Sequence, residues 1–326
     1  MQVVVLGGTR FIGRAVVASL VGAGHEVTVV HRGLAEPADL APVDHVHLDR
    51  LALTGQHLPA DVDAVVDVSA ESGRQAAVAI AATPGAGRRI VLSSGDVYRA
   101  FSSLHGGVVT DPVPITEESP LRTERNLPAT GGCENLDVEE EYLPTGAVVL
   151  RLGAVYGPYD YQYRHEPVLR RLRAGRTRIP VGVGTFLFSH VFVDDVARAV
   201  LLALTADGLH GRAFNVVEPV TCSAELLIRR TVAAADGALG AELMRVPDRV
   251  LPPDLRLTRA VGQHLLMSGN QFTVATGWHA SDPDEALRRS VRWHLDHPPP
   301  DASGDFSADD AALAAARVAP ADGATA

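Results

Sequence analysis

"MQVVVLGGTRFIGRAVVASLVGAGHEVTVVHRG", residues 1–33, decides the fold. Its first segment, "QVVVL", is a short β-branched run of the kind buried in parallel sheets, where both faces are covered. "FIGRAVVASLVGAG" then places Phe11, Ala15, Val16 and Leu20 at helical spacing, with Gly22 and Gly24 punctuating the end. "EVTVVHR" reads as the next strand. Strand, glycine turn, helix and strand in that order give a glycine fingerprint its meaning. Gly7 permits the tight turn, Gly8 and Thr9 let backbone and hydroxyl approach a pyrophosphate, and Gly13 lets the helix pack closely on the sheet. The helix N-terminus adds N–H groups and a partial positive charge suited to phosphates.

The alternation continues through "HVHLD" (45–49), "DAVVDVSA" (63–70), the helical "RQAAVAIAAT" (74–83) and the strand "RRIVLSS" (88–94). This predicts an α/β chain with a Rossmann-type doubly wound parallel sheet. From Asp96 to about Gly132 the pattern dissolves into a Pro-, Ser- and Gly-rich segment, long enough to suggest a lid. A helix near 136–143, the strand "AVVLRLGAVYG", the strand-helix "VFVDDVARAVLLALTA" and the strand "AFNVV" then return to the sheet. The composition places a dinucleotide-binding domain at 1–155, returning at about 188–217, and a small substrate lobe at 156–187 and 218–300. The tail 301–326 has a largely disordered composition, although "SADDAALAAAR" within it has the pattern of one docking helix.

The chain has 326 residues, 46% hydrophobic and 21% charged, ample for a soluble core. Its net charge of −10 disfavours nucleic acid as a partner, and the basic stretch "RRLRAGRTR" (170–178) reads as a solvated helix end. Cys133 and Cys222 stand in no metal or redox spacing, so no metal site is expected and both read as free thiols in a reducing compartment. An apolar run beginning at Val3 leaves no room for a leader, and no window is long enough for a membrane span. The expectation is a cytoplasmic protein with a small-molecule substrate and no membrane partner; whether it forms a homodimer stays open.

The end of the second strand reads "HRG", without the acidic residue that would hold a ribose 2′-hydroxyl. Arg32, beside His31 and with Arg10 of the glycine turn as a second candidate, favours NADP over NAD by offering a guanidinium to a 2′-phosphate. Asp49, ending the third strand, reads either as an acceptor for an adenine amino group or as a cap for the next turn.

"GGTRFIG", "DAVVDVSA", "VLSSGDVY", "LRLGAVYGPYD", "VFVDDVARA" and "FNV" stand in family order over roughly residues 1–300. In these the chain resembles the extended or atypical short-chain dehydrogenase/reductase superfamily, in its NAD-dependent epimerase/dehydratase group. The resemblance implies a hydride-transferring dinucleotide on Gly7, Gly8, Thr9, Arg10, Phe11, Ile12 and Gly13, with Val68, Ser69 and Asn135 as further contacts. It implies substrate contacts from Tyr159, Tyr161, His165 and His190. Arg10 stands where the family more often has glycine, as in atypical members that include chloroplast stem-loop RNA-binding proteins.

Family catalysis resembles a Ser, a Tyr and a Lys one helical turn beyond it. Ser94 stands four residues before Tyr98, as in that pattern, but the tyrosine place falls at about Gly131 and the lysine place at Asn135. No tyrosine lies between Tyr98 and Tyr142, and all 29 basic residues are arginines. A phenol needs a nearby cation to act as a base at neutral pH, so the usual proton transfer has lost its parts. Three readings follow: an enzyme with a substituted acid/base, Glu134 first and then Tyr98, His165 or His190; a non-redox enzyme on a repurposed scaffold; or a silent dinucleotide-binding regulator. The retained Ser94 and the aromatic "YDYQYRHE" (159–166) favour an enzyme acting on a small polar metabolite, a nucleotide-sugar or a secondary-metabolite intermediate.

Overall fold

A computed structural model describes residues 1–106, 108–235, 241–300, 302 and 304–318. Seven strands form one parallel sheet: β1 (Gln2–Leu6), β2 (Glu26–His31), β3 (Asp44–His47), β4 (Ala64–Asp67), β5 (Arg88–Ser94), β6 (Val148–Leu152) and β7 (Ala213–Val216). Their spatial order is β7-β6-β5-β4-β1-β2-β3. Val3, Val4 and Val5 are wholly buried, because helices cover both faces of β1, which is why this strand reads as an unbroken apolar run.

The helices that follow these strands in the chain include α1 (Phe11–Gly22), α2 (Gly73–Ala82), α3 (Arg99–Gly106), α4 (Asn135–Tyr142) and α5 (Val193–Thr205). α2 packs on α4, and α1 on α5. Ala76, Ala79 and Ala82 of α2 and Val138 and Tyr142 of α4 share a core with Val4, Val65, Val91 and Val149 of the sheet. The small side chains of α2 let that helix lie close to the strands. Part of the segment expected as one long loop is ordered as α3.

The chain runs β1 to β2 to β3 toward one edge, then returns to β4 on the other side of β1. In a doubly wound sheet this reversal opens a crevice at the carboxyl ends of the two central strands. Here those ends are Leu6 and Asp67, which pair in register.

The chain divides into two compact units: Met1–Val155, Ser189–Pro219 and Leu265–Ser281 in the first, and Tyr156–Phe188, Val220–His264 and the part from Asp282 onward in the second. Residues 265–281, expected in the smaller lobe, belong to the first unit. Long-range backbone bonds place them there: Ser189 N–H to Leu265 O (3.0 Å), Ile115 N–H to Leu266 O (2.7 Å) and Ser268 N–H to Ile115 O (2.9 Å). Composition carries no trace of such pairings.

In the second unit, Arg178–Val181 pairs in parallel with Glu242–Arg245. The tail expected to be largely disordered contains a helix, Ser307–Val318. Its Asp309 is fully buried and accepts from Arg171 Nε (2.6 Å) and Nη2 (2.9 Å). Arg171, expected in a solvated helix end, is likewise fully buried and also pairs with Asp254 at 2.8 Å. Residues 319–326 of that tail lie outside the described residues. Among the described residues no helix is long and apolar enough to cross a membrane.

The glycine turn shows why α1 can sit where it does. A Cβ on Gly13 would lie 2.0 Å from the Gly7 carbonyl oxygen and 2.9 Å from Gly8 Cα, both backbone atoms that cannot move aside. Gly13→Ala should therefore cost at least about 2 kcal/mol, read by urea denaturation. A loss within about 0.5 kcal/mol, the range of an ordinary surface change, would show that α1 can back away from β1 at little cost.

Candidate dinucleotide and acid/base site

Gly7 adopts φ +88°, a conformation that favours glycine, and a Cβ there would strike Ser69 Oγ at 2.4 Å. Gly8 is hemmed by Val17 and Val29, each 2.7 Å from where its Cβ would be. The turn thus brings the end of β1, the start of α1 and the residues after β4 to one place. Val68 donates its N–H to Leu6 O at 3.0 Å, and Ser69 Oγ donates to the same carbonyl at 3.3 Å.

Arg10 is the N-cap of α1 and makes no side-chain cap hydrogen bond, and the first turn holds no acidic residue. A helix start without a carboxylate of its own suits an anionic group of a ligand. Phe11 adopts φ +35°, rare for a bulky side chain, and strain of this kind gathers at functional turns. Thr9 and Phe11 are buried, Ile12 is half-buried and Arg10 is exposed. These residues fit a dinucleotide pyrophosphate.

At the end of β2, His31 turns inward. Its Nδ1 accepts from Gly33 N–H (3.2 Å) and its Nε2 lies 2.8 Å from His45 Nδ1. Arg32 is exposed. Asp49 Oδ1 accepts from Leu51 N–H at 2.8 Å, so it caps the short turn Arg50–Ala52.

Around Glu134 and Asn135, the tertiary structure sorts the candidates. Glu134, expected as the first candidate for a substituted acid/base, is buried. It takes Arg122 Nη2 (2.7 Å) and Nη1 (3.1 Å), and the N–H groups of Asn126 (2.6 Å) and Leu136 (3.2 Å). Burial alone would raise its pKa, but the Arg122 guanidinium and these N–H donors outweigh it and hold the carboxyl below the usual range. A carboxylate so engaged is an N-cap and an ion-pair partner, and is poorly suited to exchanging protons at neutral pH.

Tyr98 has no exposed surface. Its hydroxyl donates to Asn215 Oδ1 (2.7 Å) and accepts from Arg151 Nη1 (3.1 Å). Arg151 in turn binds Glu139 (2.7 Å), which also accepts from Ser93 Oγ (2.6 Å). Burial pushes the Tyr98 phenol up to about 12 despite Arg151. This network ties β5, α4, β6 and β7 together, and it gives Tyr98 a structural place.

Sequence reasoning missed Asp96. It sits inside "VLSSGDVY", two residues after Ser94, and nothing local in that stretch signals that its carboxyl is buried. Both its carboxylate oxygens accept from Asn135 Nδ2 (2.9 and 3.1 Å), and its backbone N–H donates to Ser94 Oγ at 3.2 Å. Arg122 stands 3.9 Å away. Burial raises the Asp96 pKa, Asn135, Arg122 and Ser94 pull it back only in part, and the carboxyl is left at about 6. Asn135, expected to grip a cofactor ribose, turns its amide N–H group to Asp96 instead. Cys133 is half-buried, and burial together with the negative charges of Glu71 and Asp96 raises its pKa, which keeps it a thiol.

His190 opens the short strand His190–Phe192, and its carbonyl accepts from Glu218 N–H at 2.8 Å. Tyr159, Tyr161 and His165 belong to the second unit. Tyr159 and Tyr161 are exposed, Tyr159 lying 4.8 Å from the Trp293 ring, while His165 is buried with its ring edge toward Tyr156 and His294. His165 thus has the setting of a core histidine.

A family model for the NAD dependent epimerase/dehydratase family matches residues 3–100 and 134–216, together more than half of the chain. The chain belongs to that family. Among similar proteins, 2′-dehydrokanamycin reductase of Streptomyces kanamyceticus is 28% identical over 65% of this chain and 60% of its own length. The chain therefore spans about three fifths of the length of that relative. The 3-diazoavenalumate denitrifying reductase of a Streptomyces species is 26% identical over 91% of this chain and 97% of that protein. The crystal structure of dTDP-glucose 4,6-dehydratase from Bacillus anthracis, solved with NAD, superposes with a TM-score of 0.69 at 16% identity, covering 91% of this chain and 97% of that one. That likeness shows the shared fold.

The two carboxyls of this epimerase/dehydratase-family site should respond differently to neutralisation. Glu134→Gln leaves the buried Arg122 without its counter-charge and should cost about 3 kcal/mol. Asp96→Asn removes a charge that burial already disfavours and should cost less than about 1.5 kcal/mol. Chemical denaturation of both variants checks the order, and equal losses would contradict it.

Proposed function

We propose that the protein is a dinucleotide-dependent reductase of a small polar carbonyl metabolite, in which Asp96 replaces the tyrosine–lysine pair as the proton-handling group. The observation that carries this reading is the buried Asp96 carboxyl, which takes Asn135 Nδ2 at 2.9 Å two residues from Ser94 and which burial pushes up to about 6. A general acid works best with a pKa near the operating pH. The reductase names of the two Streptomyces relatives support the direction of reaction.

Gly7 to Gly13 and the α1 N-terminus would hold the pyrophosphate, and exposed Arg32 would meet a 2′-phosphate, which favours NADP over NAD. The bound nicotinamide supplies hydride exchange with a carbonyl or carbinol carbon. In the reducing direction Asp96 gives its proton to the substrate oxygen, and the Ser94 hydroxyl orients that oxygen. Asn135 Nδ2 remains a donor to the carboxylate left behind, and Arg122 at 3.9 Å moderates its charge. Tyr142 is not part of this step, since its hydroxyl donates to the buried Asp67 at 2.6 Å.

Two measurements test the reading. Fluorescence titration should give tighter binding of NADPH than of NADH, with Arg32→Ala weakening NADPH at least about tenfold, the loss of one charge-assisted bond. Binding of neither nucleotide would overturn the reductase reading.

The pH profile tests the acid. Asp96 must be protonated to donate, so reduction of keto-sugar and β-keto-ester probes should fall as pH rises through about 6. Oxidation of the matching alcohols should rise over the same range. Asp96→Asn should lower kcat/KM by about a hundredfold or more, and an active Asp96→Asn enzyme with an unchanged profile would remove Asp96 from the role.

A further inference from the structure

Four side chains at the sheet edge converge on one point, away from Asp96. His45 and His47 lie two residues apart on the edge strand β3 and so share one face of it. β3 pairs with β2 in a register that sets His31 opposite His47. Glu36, from the connection between these strands, folds over the three rings. Its Oε1 lies 3.1 Å from His45 Nδ1, 3.3 Å from His47 Nε2 and 3.8 Å from His31 Nε2. His31 Nε2 is 2.8 Å from His45 Nδ1, and all four ligand atoms fall within 4.8 Å of one another.

We propose that His31, Glu36, His45 and His47 form a binding site for a divalent transition-metal ion of the Zn²⁺ class. Ligand atoms about 2.0–2.1 Å from a tetrahedral zinc stand about 3.3 Å apart, and the separations above bracket that value. Three imidazoles and one carboxylate are a donor set suited to zinc and its neighbours in the first transition row.

Proton accounting points the same way. Gly33 N–H donates to His31 Nδ1, so the neutral His31 ring carries its proton on Nε2 and hands it to His45 Nδ1. His45 Nδ1 is then an acceptor facing a second acceptor, Glu36 Oε1, at 3.1 Å. A bound cation takes both lone pairs together with those of His31 and His47. On binding, the His31 proton moves from Nε2 to Nδ1 and the 3.2 Å bond from Gly33 is given up. Gly33 is exposed with φ +73°, so its N–H can turn to water. The ion would fasten β3 to β2 and pin the connection between them, next to exposed Arg32. The cluster escaped the sequence because its spacing matches no metal motif: only strand register and a folded-over loop assemble it.

The test is a titration of the chelator-treated full chain with Co²⁺, then Zn²⁺, followed by visible absorption and by thermal denaturation. The expected result is one cobalt per chain with the intense visible bands of a four-coordinate ion, displaced by zinc, and a Tm raised by zinc. His47→Ala and Glu36→Gln alter exposed side chains, so the metal-free fold should be unchanged by circular dichroism. Each should weaken cobalt at least about tenfold and abolish the zinc effect on Tm. Absence of the bands overturns the site, and so do bands and affinity that survive in both variants. Neither readout depends on turnover or on nucleotide binding, so this proposal and the reductase reading can fail separately.

Discussion

The close approach of α1 to β1 is the constraint from which the rest of the first unit follows. Gly13 lies against the Gly7 carbonyl with no room for a single carbon between them. That contact fixes the helix start at the end of the strand, and it turns the first N–H groups of α1 toward the reversal point of the sheet. Parallel strands then place β4 beside β1, with Asp67 in register with Leu6, so the residues after both strands border the same crevice. The buried network of Glu139, Arg151, Tyr98 and Asn215 performs the matching task further along the sheet, joining α4 to β6 and β7.

Asp96 and Glu134 illustrate how neighbours divide two buried carboxyls into different roles. Glu134 has a bidentate guanidinium and two backbone donors, which stabilise the charged form. Asp96 has the neutral Asn135 amide as its donor, with the same guanidinium more distant, and burial prevails. Environments that push two titratable groups apart are how one fold obtains a stable charge and an exchangeable proton side by side. The uncharged donor Asn135 is what leaves the Asp96 carboxyl to the effect of burial. A lysine ammonium beside Asp96 would hold its carboxyl ionised, as Arg122 holds Glu134.

The sequence by itself determined the scaffold. Glycine spacing, β-branched runs and helical periodicity are local signals, each set by the conformation of a few consecutive residues, and they carried the doubly wound sheet and the fingerprint turn. Tertiary structure decided what depends on residues far apart in the chain. It returned residues 265–281 to the first unit through backbone bonds to Ile115 and Ser189, and it docked the Ser307–Val318 helix through Asp309 and Arg171. It paired Glu134 with Arg122 and left Asp96 to burial, because Arg122 comes from a segment whose path no periodicity describes. It gathered His31, Glu36, His45 and His47 through strand register and a loop. A residue type and its spacing announce which chemistry is available, but burial and the partner across the fold set its charge, and those are properties of packing.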